Sequence, residues 1–201
     1  MHRGRASVTS EEDTLLPFAE RAGKAADEIR LAVTAIAATE LEAMLSELAS
    51  TKLIVCHGLG SEGLMMKALA MRLYHMGLDA HVAGEMTCPP VGPGDLFLVS
   101  IGPGRLATAE ALIAVARDAG ARVACITAEP EGPGPLAADL VLVIPAQTMA
   151  RDQGSTATSI LPMGSLFEGA MFLVFELIVL ALRDRLGITA ADMRARHTNL
   201  E

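Results

Sequence analysis

Ser100-Ile101-Gly102-Pro103-Gly104-Arg105-Leu106 joins an apolar run, Leu96 to Ser100, to a helical pattern from Leu106 to Ala119. In a parallel α/β sheet this strand-to-helix junction is where anions bind, because backbone N–H groups and the positive helix end converge there. Loops that hold phosphate in this way usually add Ser or Thr hydroxyls. This one carries Ile101, Pro103 and Leu106, with Arg105 as its one cation. The position suits an anion and the residue types do not.

Working outward, four more short apolar runs read as strands: Leu53 to Cys56, Ala80 to Ala83, Val123 to Thr127 and Leu140 to Ile144. Leu53-Ile54-Val55-Cys56 is apolar at every position, as in a strand covered on both faces. Helical spacing appears over about Glu11 to Ser50 (two helices), Leu64 to Met76, and about Pro162 to Leu186, where Gly187 ends the pattern. Strands alternating with helices predict an α/β fold: a five-stranded parallel sheet flanked by helices, with two helices before it. We expect one domain over residues 11–201, a disordered or tail-like polar stretch over 1–10, and a charged tail from Thr189 to Glu201. Gln147 to Ser159 reads as a polar loop.

Composition excludes several functions. Only 3% of the 201 residues are aromatic, with no Trp, so stacking platforms for bases are not expected. The net charge of −8 and the lack of a basic run argue against nucleic acid and anionic membrane surfaces. Cys56, Cys88 and Cys125 are odd in number and widely spaced, which gives neither a metal set nor a redox pair and suits buried thiols in a reducing cytoplasm. Met1 to Ser10 lacks an apolar core, so no signal peptide is expected. Ala170 to Leu182 is shorter than the ~18 to 20 apolar residues of a spanning helix and contains Glu176, so a core or subunit-interface helix is expected there.

Three sites carry candidate chemistry. Gly58-Leu59-Gly60-Ser61-Glu62-Gly63 follows a strand and opens a helix, as the dinucleotide fingerprint does, and Glu85 stands near the position of its acidic ribose ligand. A tight strand-to-helix turn uses the same glycines without any nucleotide, and a dinucleotide fold needs a sixth strand. Glu168 lies in the first turns of the long helix among Leu166, Phe167, Ala170 and Met171. It is either a structural acid near a helix N-terminus or a desolvated carboxylate suited to general-base work. His57 ends the first strand at the ligand-binding edge, and its plain reading is a histidine bonded to nearby backbone. His197 lies in the tail, where docking on another subunit would bring it to a site.

The chain resembles the sugar isomerase (SIS) domain family, and within it the 6-phospho-3-hexuloisomerases. The resemblance runs from about Leu53 to Glu201. It is carried by Lys67 to Gly77, by Val82-Ala83-Gly84-Glu85 with Pro89-Pro90, and by Gly94-Asp95-Leu96. Most specific are Pro162-Met163-Gly164-Ser165-Leu166-Phe167-Glu168 and Met193-Arg194-Ala195-Arg196-His197-Thr198-Asn199-Leu200-Glu201. The resemblance implies an αβα sandwich of flavodoxin-like strand order that assembles as a dimer of dimers, a homotetramer. It also implies conversion of a 3-hexulose 6-phosphate to fructose 6-phosphate without a cofactor or metal. By position, Glu168 matches the family's base and His197 the tail histidine supplied by a neighbouring subunit. Gly58, Gly60, Ser61, Glu62, Ser100, Gly102, Gly104 and Arg105 fall on its substrate-binding turns, with His57 and Glu85 as additional candidates.

The phosphate turns depart from the family pattern. The family's Gly-x-Gly-Arg-Ser-Gly has Ser61 and Glu62 here in place of Arg and Ser. Its Ser-Gly-Ser-Gly-Glu-Thr reads Ile101-Gly102-Pro103-Gly104-Arg105-Leu106. Pro103 also removes a backbone N–H. Two like unit charges ~4 Å apart repel by about 4 kcal/mol at an effective dielectric of 20, so Glu62 opposes a phosphate unless Arg105 compensates it or pairs with it. The expectation is a sugar-phosphate or related carbohydrate-derivative isomerase with a remodelled anion pocket. The rival is a non-catalytic carbohydrate-binding SIS module, and a dinucleotide-binding protein comes third.

Overall fold

The computed structural model describes residues 16–200; the expectation for residues 1–10 lies outside them. Two helices, α1 (Phe18–Thr34) and α2 (Ala38–Ser50), precede the sheet. The alternating part follows as β1 (Ile54–His57), α3 (Gly60–His75), β2 (Ala80–Val82), β3 (Leu96–Ser100), α4 (Ala107–Asp118), β4 (Arg122–Thr127), α5 (Pro133–Leu136) and β5 (Leu140–Val143). The long α6 (Ser165–Leu186) and the short α7 (Ala190–Ala195) complete the chain. The five strands are all parallel in the order β2-β1-β3-β4-β5, the flavodoxin-like order expected.

Strand residues alternate between two cores, as the two-residue period of a strand requires. Ile54, Cys56, Leu96, Leu98, Ala124, Ile126 and Leu142 pack beneath α2, α3 and α6. Val55, Phe97, Val99, Val123 and Cys125 face the other way, against Ala109, Ile113 and Ala116 of α4. Cys56 and Cys125 are therefore in different layers, and all three cysteines are free.

Two elements differ from the sequence expectation. Among the described residues, α6 is the one helix long and apolar enough to cross a membrane: it has 22 residues, against the shorter apolar stretch read from the sequence. Here one face of it closes the core through Phe167, Met171, Val174, Phe175 and Ile178. Glu176 is held by Arg72 of α3, N to O 2.9 Å. The tail, expected only to be charged, contains α7. A capping box starts this helix: Thr189 accepts from the Asp192 N–H, and the Asp192 carboxylate accepts from the Thr189 N–H.

The strand order decides where ligands can bind. The chain leaves β1 toward β2 on one side, and β3 continues toward β4 on the other. The crevice at the carboxyl ends of β1 and β3 is thus the topological switch point. Register pairs His57 with Val99, which sets the turn after β1 beside the turn after β3.

Candidate active site

The first turn is closed by glycine against glycine. A Cβ on Gly63 would stand 2.5 Å from the Gly58 carbonyl oxygen and one on Gly58 3.0 Å from the Gly63 N, so Gly63 has no room for a side chain and Gly58 little. This close approach lets α3 begin at Gly60, before the Leu64 start read from the sequence. Ser61 and Glu62 therefore lie in the first helical turn rather than in a loop. A carboxylate there is favoured by the helix dipole.

Glu62 reaches across to the second turn. Its Oε2 accepts from the Ser100 hydroxyl at 2.5 Å and from the Gly102 N–H at 2.9 Å. Gly102 makes room for it: a Cβ there would be 2.6 Å from Glu62 Oε1 and 2.8 Å from the Phe167 ring. Burial pushes the Glu62 carboxyl above its ordinary range; the bonds from Ser100 and Gly102 oppose this, and the Glu168 charge adds to it. The pairing with Arg105 considered from the sequence does not form. Arg105 is exposed, and Glu62 takes its partners from β3 and the loop behind it.

The remaining loop N–H groups are largely committed. Ile101 donates to the Ile126 carbonyl and Gly104 to the Ile101 carbonyl, each at 2.9 Å. Leu106 donates to Glu110 Oε1 at 3.0 Å, and Pro103 has no N–H. Gly104, at φ +75°, packs against Glu129 and Gly132 instead of facing the crevice.

A cavity of about 250 Å³ opens beside these turns, lined by Gly60, Ser61, Glu62, Pro103, Leu106, Phe167 and Glu168. Thr148, Met149 and Met163 form its outer wall. Glu168 sits in the first turn of α6, half-buried, and its carboxylate makes no hydrogen bond with the described residues. Met163 (φ 55°) and Gly164 (φ 79°) are both left-handed and turn the chain so that α6 starts at the cavity. The segment before them is fastened by buried Gln147, whose Oε1 accepts from the N–H groups of Thr158 (2.6 Å) and Ser159 (3.1 Å).

The other sequence candidates lie elsewhere. His57 faces the α4 side of the sheet and stacks on Phe97 with ring centroids 6.1 Å apart; its Nε2 is buried without a partner among the described residues, and burial lowers its pKa. Glu85 is exposed beside Lys67, Tyr74 and His81 in a separate groove. His197 lies at the far end of α3, its ring 5.2 Å from that of His75. The 16 residues of α3 span ~24 Å, so within one chain His197 is remote from Glu168. Thr148, Met149 and Met163 escaped sequence reading because only the folded loop brings them to the cavity.

Comparison with known proteins places this arrangement in a family. A 3-hexulose-6-phosphate isomerase of Bacillus subtilis (strain 168) is 34% identical over 175 residues, covering 87% of this chain and 94% of the relative. The chain belongs to the 3-hexulose-6-phosphate isomerase family of SIS-domain proteins. A second member of that name, from Mycobacterium gastri, is 40% identical over 144 residues, covering 72% of this chain and 71% of its own. Among solved structures, a Methanococcus jannaschii protein for which a 3-hexulose-6-phosphate isomerase function was inferred superposes with a TM-score of 0.79. It is 24% identical and the match covers 90% of this chain and 99% of that one. A protein of Escherichia coli CFT073 gives a TM-score of 0.75 at 17% identity, covering 94% and 100%. At these identities the two structures show the SIS fold shared with the isomerase family. No family model matches the chain.

Proposed function

We propose that this protein is a ketose isomerase that moves a carbonyl between adjacent carbons, as a 3-hexulose 6-phosphate isomerase does in giving fructose 6-phosphate. In this reading Glu168 is the base. It takes the proton from the hydroxyl-bearing carbon next to the carbonyl, leaving an enediolate, and returns that proton to the former carbonyl carbon. The hydroxyl proton passes between the two oxygens, and a polar group steadies the negative oxygen. No net redox change occurs, so the reaction calls for no redox cofactor.

The observation that carries this reading is the Glu168 carboxylate. It borders a cavity at the switch point and has no hydrogen bond to the described residues. By contrast Glu176, farther along the same helix, is engaged by Arg72. Exposed apolar side chains on α3 and α6, among them Leu64, Met71, Tyr74, Phe172 and Leu177, suit contact with a second copy. A homo-oligomer built there would offer the tail carrying His197 to a neighbouring site.

The test is proton exchange in deuterium oxide with a ketohexose and its 6-phosphate. Glu168→Gln is expected to lower exchange by ~10²- to 10⁴-fold, the usual contribution of a positioned base, with the melting temperature unchanged. The filling of the anion notch by Glu62 favours one second reading, a carbohydrate-binding module without catalysis. That reading requires the wild type to show no exchange and Glu168→Gln to bind sugar as the wild type does.

A further inference from the structure

We infer that Glu62 makes this site select an uncharged hydroxy-ketone over a phosphorylated one, its carboxylate occupying the anion position between the two strand-to-helix turns. For the ketone the inference rests on the isomerase reading; the exclusion of phosphate rests on Glu62 alone.

Donor geometry supports it first. An anion at this junction needs N–H and O–H groups aimed at it. The Ser100 hydroxyl and the Gly102 N–H, the donors at the start of the second turn, are both spent on Glu62 Oε2. Ile101, Gly104 and Leu106 donate elsewhere, and Pro103 has nothing to donate. At the notch itself a ligand phosphate would have to displace the carboxylate already seated there.

Charge supports it independently. Glu62 and Glu168 both border one cavity, and none of its lining residues is a cation. Arg105, one residue past Gly104, is exposed and does not line it. Within one chain the two carboxylates have no counter-charge in the lining and repel a dianion, and the apolar walls from Pro103, Leu106, Met149, Met163 and Phe167 weaken the screening. Burial and the neighbouring Glu168 charge both raise the Glu62 pKa, in keeping with a poorly solvated pair of acids.

The same groups suit hydroxyls. Glu62 Oε1 accepts no hydrogen bond from the described residues and is not among the buried atoms. It can accept a hydrogen bond from a sugar hydroxyl while Oε2 stays bound. Ser61 and Thr148 border the same space. At about 250 Å³ the cavity lies just under the ~300 Å³ at which small-molecule pockets begin, a scale that fits one compact sugar.

The experiment titrates inorganic phosphate, fructose 6-phosphate and fructose into the wild type, Glu62→Ser and Glu62→Gln by calorimetry, with thermal melts to establish folding. Solvent-deuterium exchange is followed for both sugars. The wild type is expected to bind fructose 6-phosphate at least ~100-fold more weakly than Glu62→Ser does, and to exchange hydrogen into fructose faster than into its phosphate. Glu62→Gln, which removes the charge and keeps the shape, is expected to recover part of the phosphate binding. Wild-type binding of fructose 6-phosphate as tight as that of Glu62→Ser overturns the inference. So does faster exchange into the phosphate than into fructose, a wild-type comparison that holds even if both variants unfold. Exchange into neither sugar defeats the isomerase reading, while the calorimetric ratio still decides the role of Glu62.

Discussion

The turn after β1 and the turn after β3 have the same topological role, and the chain closes them by opposite means. Gly58 and Gly63 lock the first turn backbone against backbone, with 2.5 Å between a hypothetical Gly63 Cβ and the Gly58 oxygen. The second turn is completed by a side chain borrowed from the first: Glu62 gathers the Ser100 hydroxyl and the Gly102 N–H. A junction that binds an anion needs its donors open. Here one turn fills the other, so the two form a single unit whose parts cannot be altered independently.

Glycine substitution is the strongest way to break that contrast. Gly63→Ala sets a methyl against a carbonyl that cannot yield, and we expect a loss of about 3 kcal/mol or more in urea unfolding. Gly102→Ala meets the end of the Glu62 side chain and the Phe167 ring, both able to shift. Its expected cost is about 1 to 2 kcal/mol. Adding Glu62→Ser should recover a measurable part, giving a coupling of ~0.5 kcal/mol or more in a double-mutant cycle. Equal costs for the two glycines would mean that the turns are not built differently.

The smallest effect is the dependence on pH. A carboxyl whose folded pKa is raised above its ordinary 4.5 lends stability below that value and loses it as pH rises through the raised one. Wild-type unfolding free energy should therefore fall over that window by no more than ~1.4 kcal/mol per pH unit, the limit for one proton. Glu62→Gln should remove that share of the slope. Urea midpoints between pH 4 and 8 measure it, and an unchanged slope in the variant would place the titration elsewhere.

The sheet was legible because each strand is a short apolar run between glycine-rich turns, a local signal. The two-layer core follows from the alternation of Ile54 and Cys56 with Val55. The capping box at Thr189 and Asp192 was also written locally, yet the charged tail around it obscured a six-residue helix. The partner of Glu62 was not legible. Arg105 is the cation nearest Gly102 in sequence, but Ser100 and Gly102, 38 and 40 residues away, hold the carboxylate. Such a choice depends on strand register, and no local pattern encodes it. Thr148 and Met149 reach the cavity for the same reason.

The outer wall of the cavity has a construction of its own. Gln147 ties the start of its segment to Thr158 and Ser159, so both ends of a loop more than ten residues long are held by one buried amide. A loop with joined ends can change in length or composition without straining the strands it leaves and enters. Residues 148–157 are thus the part of the site most tolerant of sequence drift. The fold can resize its chamber for a new guest there while the turns beneath stay fixed.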